Sequence, residues 1–199
     1  MTRIFKMLGL SLAAAFATAA VAANAASAMN FTAAKYPTTL TGSQTSSHVF
    51  QIGSLKVTCA TEKTTGVLTA SSETVSLSPA YEGCESSGLK AEVQPNGCSY
   101  LIYAPPAESE EGSLDIACPK GKSMLITALT CTIIVNAQVT PKHVYVWNTD
   151  EDIDIGETLT SVSVSVVKDT FLCPLEASFA TMEVSGSRTL QGSSAIDVG

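Results

Sequence analysis

One hairpin, between Asn96 and Pro119, constrains this chain more than any other stretch. It reads Asn96-Gly97-Cys98-Ser99-Tyr100-Leu101-Ile102-Tyr103, a Pro- and Glu-rich loop, then Gly112-Ser113-Leu114-Asp115-Ile116-Ala117-Cys118-Pro119. Folded about Glu108 as an antiparallel pair, it sets Cys98 opposite Cys118, Tyr100 opposite Ile116 and Ile102 opposite Leu114. All three pairs share one face, because strand side chains alternate with period two. The other face carries Ser99 with Ala117, Leu101 with Asp115 and Tyr103 with Ser113. A one-residue slip would scramble this sorting, so the register is specified by the side chains themselves. The stretch predicts a β-protein held by disulfides.

Six cysteines stand at 59, 84, 98, 118, 131 and 173, with no C-x-x-C among them. An even count behind an export signal reads as three disulfides, and the spacing argues against a zinc site or a dithiol redox pair. The hairpin register pairs Cys98 with Cys118, within the roughly 4.4–6.8 Å Cα separation that a disulfide needs. Cys59 ends an earlier hairpin and Cys84 closes the turn after the next two strands, so a local Cys59–Cys84 bridge follows. Cys131 and Cys173 remain to pair with each other.

The export signal is residues 1–28. Arg3 and Lys6 form a basic start, Met7 to Ala23 is apolar and Ala-rich, and Ala26-Ser27-Ala28 is an A-x-A cleavage site, with Ala23-Asn24-Ala25 as second choice. The alternative, a retained anchor, is weak because Ala contributes little to membrane insertion. No later stretch is long and apolar enough to span a bilayer as a helix. The net charge is −7, and cleavage removes the two positive charges of Arg3 and Lys6, leaving −9. With no basic patch, binding to a nucleic-acid backbone is excluded, and no membrane partner is expected after cleavage.

The rest reads as strands. His48-Val49-Phe50-Gln51-Ile52, Gly53-Ser54, then Leu55-Lys56-Val57-Thr58-Cys59 is a hairpin whose Gly-first turn needs positive φ. It pairs Ile52 with Leu55, Phe50 with Val57 and His48 with Cys59. Strands are further expected at 66–70, 73–78, 89–93, 123–127, 130–135, 143–147, 159–167 and 178–184, with a turn at 79–84. Across 159–167 the alternation is purest, with Val162, Val164 and Val166 inward and Ser161, Ser163 and Ser165 outward. Ser and Thr outnumber the charged residues, as on the solvent faces of exported β-proteins. Residues 29–47 read as an extended lead-in, and 48–199 as one β domain. The fold class is all-β: a single disulfide-stapled β-sandwich or related antiparallel domain, without substantial helix after the signal.

Chemistry is sparse. His48 and His143 are the only histidines, and no nucleophile elbow, H-E-x-x-H or phosphate loop occurs. Both read as packing residues of strands. Asp150, Asp152 and Asp154 alternate within Asp150-Glu151-Asp152-Ile153-Asp154-Ile155-Gly156-Glu157, so an extended segment would turn all three one way, as Ca²⁺ ligands could be. The spacing is not that of an EF-hand, and the preferred alternative puts Ile153 and Ile155 inward with the acids outward. No cofactor or metal is expected. His143, Tyr145 and Trp147 share a strand face opposite Val144 and Val146. If exposed, they form an aromatic strip suited to stacking on sugar rings; if covered, Tyr145 and Trp147 are core. A lone Trp favours the covered arrangement.

Phe31-Thr32-Ala33 with Tyr36-Pro37, His48-Val49-Phe50, Val57-Thr58-Cys59, Tyr81-Glu82-Gly83-Cys84, Asn96-Gly97-Cys98-Ser99-Tyr100 and Cys118-Pro119, in that order, resemble a group of secreted bacterial proteins without assigned function. The resemblance implies export, disulfides and one domain, and carries over no active site. The sequence therefore points to a secreted, non-enzymatic binding or surface-associated β module, whose contact residues would be His143, Tyr145 and Trp147. The alternatives are a small carboxylate-dependent hydrolase, and a sheet-edge assembly subunit with 29–47 as its spare strand. Intact-mass measurement of exported protein is expected to give a chain starting near Met29; a species retaining residues 1 to 25 would overturn the signal assignment.

Overall fold

Alternation of buried and exposed residues runs through nearly every segment of the computed structural model, which describes residues 29–140, 144–168, 173–175 and 178–199. The strands are β1 (Phe31–Ala33), β2 (Thr38–Ile52), β3 (Leu55–Leu68), β4 (Thr74–Ser86), β5 (Leu89–Gln94), β6 (Ser99–Tyr103) and β7 (Glu111–Ala117). They continue with β8 (Met124–Ala128), β9 (Cys131–Val135), β10 (Gln138–Val139), β11 (Val144–Asn148), β12 (Ile153–Lys168), β13 (Phe179–Gly192) and β14 (Ile196–Val198). No helix occurs among the described residues.

Five long strands stand side by side in the order β12-β13-β2-β3-β4, each antiparallel to the next, and form a tall wall. Two short panels join its edges. The panel β5-β8-β9 runs from Glu85–Ser86 of β4 to Ser165–Lys168 of β12. The panel β6-β7-β11 runs from Thr74–Leu77 of β4 to Ile153–Glu157 of β12. Wall plus either panel is a closed ring of eight strands. The expected sandwich is thus corrected to a barrel: the ladder closes on itself at both heights, so the wall edges are paired rather than left open. β1 and β14 form a separate two-stranded ribbon, and β10 continues the outer edge of β7.

Both predicted hairpins form in the predicted registers, Tyr100 with Ile116 and Ile102 with Leu114 in one, Phe50 with Val57 and His48 with Cys59 in the other. Gly53 has φ of 53°, as its turn requires. Three disulfides join Cys59 to Cys84, Cys98 to Cys118 and Cys131 to Cys173. Val162, Val164 and Val166 point into the core.

Three expectations change. Residues 38–47 are the first part of β2, held between β13 and β3, so they are part of the wall and no spare strand for assembly. The expected turn at 79–84 is strand: β4 runs straight through Pro79. Pro is tolerated there because this height of β4 lies between its pairings to β6 and β5, with a ladder to β3 alone. Finally β13 extends to Gly192, because neighbouring strands on both sides outweigh the poor strand propensity of its Ser- and Gly-rich second half.

Cys98–Cys118 closes a sequence separation of 20 at the junction of the two panels. Replacing both by Ser, with the other bridges intact, is expected to cost about 3 kcal/mol in urea unfolding. A loss well under about 1 kcal/mol would mean that the β6–β7 ladder alone holds this loop.

Candidate functional site

Midway up the wall, each long strand turns one polar side chain inward. They are His48 from β2, Glu62 from β3, Tyr81 from β4, Glu157 from β12 and Arg188 from β13, and Tyr100 of β6 faces them from a panel. The layer follows from strand parity. Glu157 shares its face with Ile153, Ile155 and Leu159, and Arg188 shares its face with Met182, Val184 and Leu190, all buried. Gly186 makes room for the imidazole, since a Cβ there would lie 2.7 Å from His48 Nδ1.

Arg188 is the hub. Its Nη1 lies 2.8 Å from Glu62 Oε1 and its Nη2 2.7 Å from Glu157 Oε1, and the same Glu157 oxygen lies 3.1 Å from His48 Nε2. These are close charge contacts without aligned hydrogen bonds. Above and beside them, the Arg188 guanidinium sits 5.5 Å from the centre of the Tyr100 ring, and Tyr100 and Tyr81 share a hydroxyl–hydroxyl hydrogen bond of 2.6 Å. His48 packs against Phe50 and Tyr81 at ring separations of 5.0 and 5.1 Å.

Burial dominates the electrostatics. It pulls the His48 imidazole down to about 4 despite Glu157, with Arg188 adding to the fall. It pushes the Glu62 carboxyl up to about 7, against the pull of Arg188 and with help from Glu157. Burial also raises both tyrosines. For Arg188, burial opposes the charge, but Glu157 and Glu62 outweigh it and hold the guanidinium charged. None of His48, Glu62, Glu157 and Arg188 is more than 3% exposed. The layer lies inside the barrel, away from solvent.

Parity is the signal that locates these groups. Arg188 is the only arginine after residue 28, and its even spacing from Val184 and Leu190 marks it as inward. Glu157 was expected outward with the acidic run, yet it carries the parity of Ile153 and Ile155, which do point inward as expected. Of that run, Asp154 accepts from Thr189 and Asp152 from Gln191. Among the described residues no three His, Cys, Asp or Glu side chains are placed to share a metal ion.

On the outer surface, Tyr145 is 45% exposed and Trp147 is half-buried, with Val144 and Val146 inside. This corrects the expectation that the aromatic pair is core: the barrel closes over the valines and leaves the outer face of β11 uncovered. The six-membered part of the Trp147 ring lies over Gly156 of the neighbouring strand. His143 lies outside the described residues. A groove of about 300 Å³ opens beside Trp147, between Met29, Ser109, Glu110, Asn148 and Val198. A second, of about 360 Å³, is lined by Gln138, Val139, Ser163, Ser165 and Phe179 and contains no ionisable side chain. A third, of about 260 Å³, brings Asp150, Glu151 and Asp197 to its rim, all three exposed.

No family model, curated protein or solved structure matches this chain.

Removing Arg188 alone would strand two buried carboxyls. Arg188→Met is expected to cost about 3–5 kcal/mol, whereas Arg188→Met combined with Glu62→Leu and Glu157→Leu should recover most of that loss. Urea unfolding of the single and triple variants checks both outcomes, and a single-variant cost under about 1 kcal/mol would contradict the hub role.

Proposed function

We propose that this is an exported, non-enzymatic binding module that meets a saccharide through the outer face of β11, with Tyr145 and Trp147 as its contacts. One contrast supports this reading most. The layer of His48, Glu62, Glu157 and Arg188 lies behind the barrel wall, and the acids that do meet at the surface, Asp150, Glu151 and Asp197, are exposed on a groove rim, whereas β11 turns two aromatic side chains to the outside. General acid–base chemistry needs a titratable group within reach of substrate, and the His48–Glu157–Arg188–Glu62 layer has no such access. Aromatic side chains in an exposed strand supply flat apolar faces with polar rims, suited to the C–H faces of pyranose rings. Among the described residues, the neighbours of Trp147 (Met29, Ser109, Glu110, Asn148, Val198 and Gly156) are uncharged or acidic, which suits a neutral ligand better than an anionic one. Three disulfides fit an oxidising, extracellular setting, and the basic, apolar and A-x-A segments of residues 1–28 supply the route out of the cell.

Trp147 is the only tryptophan, so its fluorescence reports on this face without labelling. Titration with soluble neutral polysaccharides (a β-glucan, a xylan, a mannan) is expected to shift its emission saturably. Tyr145→Ala should weaken that response about tenfold, as loss of one aromatic contact does. An emission that no polysaccharide moves would refute the proposal.

A further inference from the structure

The polar layer holds four groups whose charges must balance. Arg188 brings a fixed positive charge, Glu62 and Glu157 bring two carboxyls, and His48 brings an imidazole, with side chains 0–1% exposed. With both carboxyls ionised and His48 neutral, the layer carries a net negative charge. With Glu62 neutral and His48 charged, it carries a net positive one. A buried unbalanced charge is strongly unfavourable, so the layer favours holding one titratable proton.

Contacts decide where that proton sits. Glu157 has the more polar surroundings of the two carboxyls, because its Oε1 lies 2.7 Å from Arg188 Nη2 and 3.1 Å from the His48 Nε2 position. Glu62 meets Arg188 alone, at 2.8 Å. The other titratable groups facing the layer are Tyr81 of β4 and Tyr100 of β6, whose hydroxyls are bonded to each other and keep their protons. On His48 the same proton would leave four buried charges instead of two, at a larger desolvation cost, so Glu62 is the seat and His48 stays neutral.

We propose that the barrel folds around one captive proton on Glu62, and that Glu62 and His48 form a compensating couple that makes folding proton-neutral from mildly acidic to near-neutral pH. In the unfolded chain, at a pH between the two ordinary values, His48 carries the proton and Glu62 does not. In the barrel the assignment is reversed. Folding thus relocates a proton without net exchange with solvent.

The pH consequences follow by linkage. Taken alone, His48, lowered from 6.5 to about 4, makes stability fall as pH drops through that window, because the unfolded chain binds the extra proton. Taken alone, Glu62, raised from 4.5 to about 7, makes stability fall as pH rises through its window, because the folded chain holds the extra proton. Where the windows overlap, the two slopes are opposite and cancel. Either group by itself would make the barrel a pH switch; together they keep it level.

Equilibrium urea unfolding, disulfides intact, from about pH 4 to about pH 7.5 tests the couple. Relative to wild type, Glu62→Gln should lose stability towards acid, its unfolding constant rising on the order of a hundredfold across the window. His48→Gln should lose stability in the opposite direction, towards neutral pH, by a similar factor. The double variant should again run parallel to wild type. A single variant parallel to wild type, or a sloped double variant, would overturn the proposal. Wild-type protein gives a check that needs no variant. Its infrared spectrum should show a protonated-carboxyl band near pH 6 that is gone by about pH 8.5, and absence of that band near pH 6 would equally overturn it.

Discussion

Closure of the hydrogen-bond ladder is the constraint on which this structure depends. The wall strands β2, β3, β4, β12 and β13 are 13 to 16 residues long, whereas the panel strands have only 5 to 7. One short panel cannot cover both edges of so tall a wall, and an uncovered edge exposes unpaired backbone groups. Two panels stacked end to end solve this, and they leave a seam where they meet. There the ladder gives way to other links. Cys98–Cys118 joins the β5–β6 connection to the β7–β8 connection, Asn96 donates to the Ser123 carbonyl, and Ser123 donates to Asn136. The Gln138 side-chain amide then bonds both N–H and C=O of Ser163 on β12, as a neighbouring strand would.

At the same level the wall strands lose their regularity. β2 shifts register between Ser43 and His48, β12 between Leu159 and Val162, with Ser161 at positive φ, and β13 around Ser187. β-Bulges re-aim side chains, and here they fall beside the charged layer. Apolar residues lie on either side of it: Leu40, Ile155 and Leu190 towards one panel, Phe50, Leu159 and Val184 towards the other. Buried charges add little net stability, but a one-residue slip of β13 would send Arg188 to solvent and take the partner from both Glu157 and Glu62. The layer thereby penalises the wrong register in a wall otherwise rich in interchangeable Val, Ile, Ser and Thr.

This arrangement separates two kinds of chemistry. His48, Glu62, Glu157 and Arg188 are gathered behind the wall, where they favour one packing. The outer surface carries Ser, Thr, acids, lysines and the Tyr145–Trp147 face. The acidic residues Asp152 and Asp154 act on that surface as hydrogen-bond acceptors that tie β12 and the turn before it to β13.

Sequence alone determined what depends on neighbours along the chain. The Cys98–Cys118 hairpin, the Gly53 turn, the inward valines of β12 and the three bridges were legible because strand alternation and turn chemistry are local, and a register fixes which cysteines can meet. Tertiary structure decided the rest. Whether β4 and β12 stay open or close into a barrel depends on strands far apart in sequence. Closure in turn leaves the outside of β11 uncovered, so Tyr145 and Trp147 are surface rather than core. The charged layer was half visible, since the parity of Glu157 and Arg188 marks them as inward. Parity could not announce Glu62, because β3 and β4 change face together around Ala60 and Gly83, and only the assembled wall brings His48, Glu62, Glu157 and Arg188 to one height.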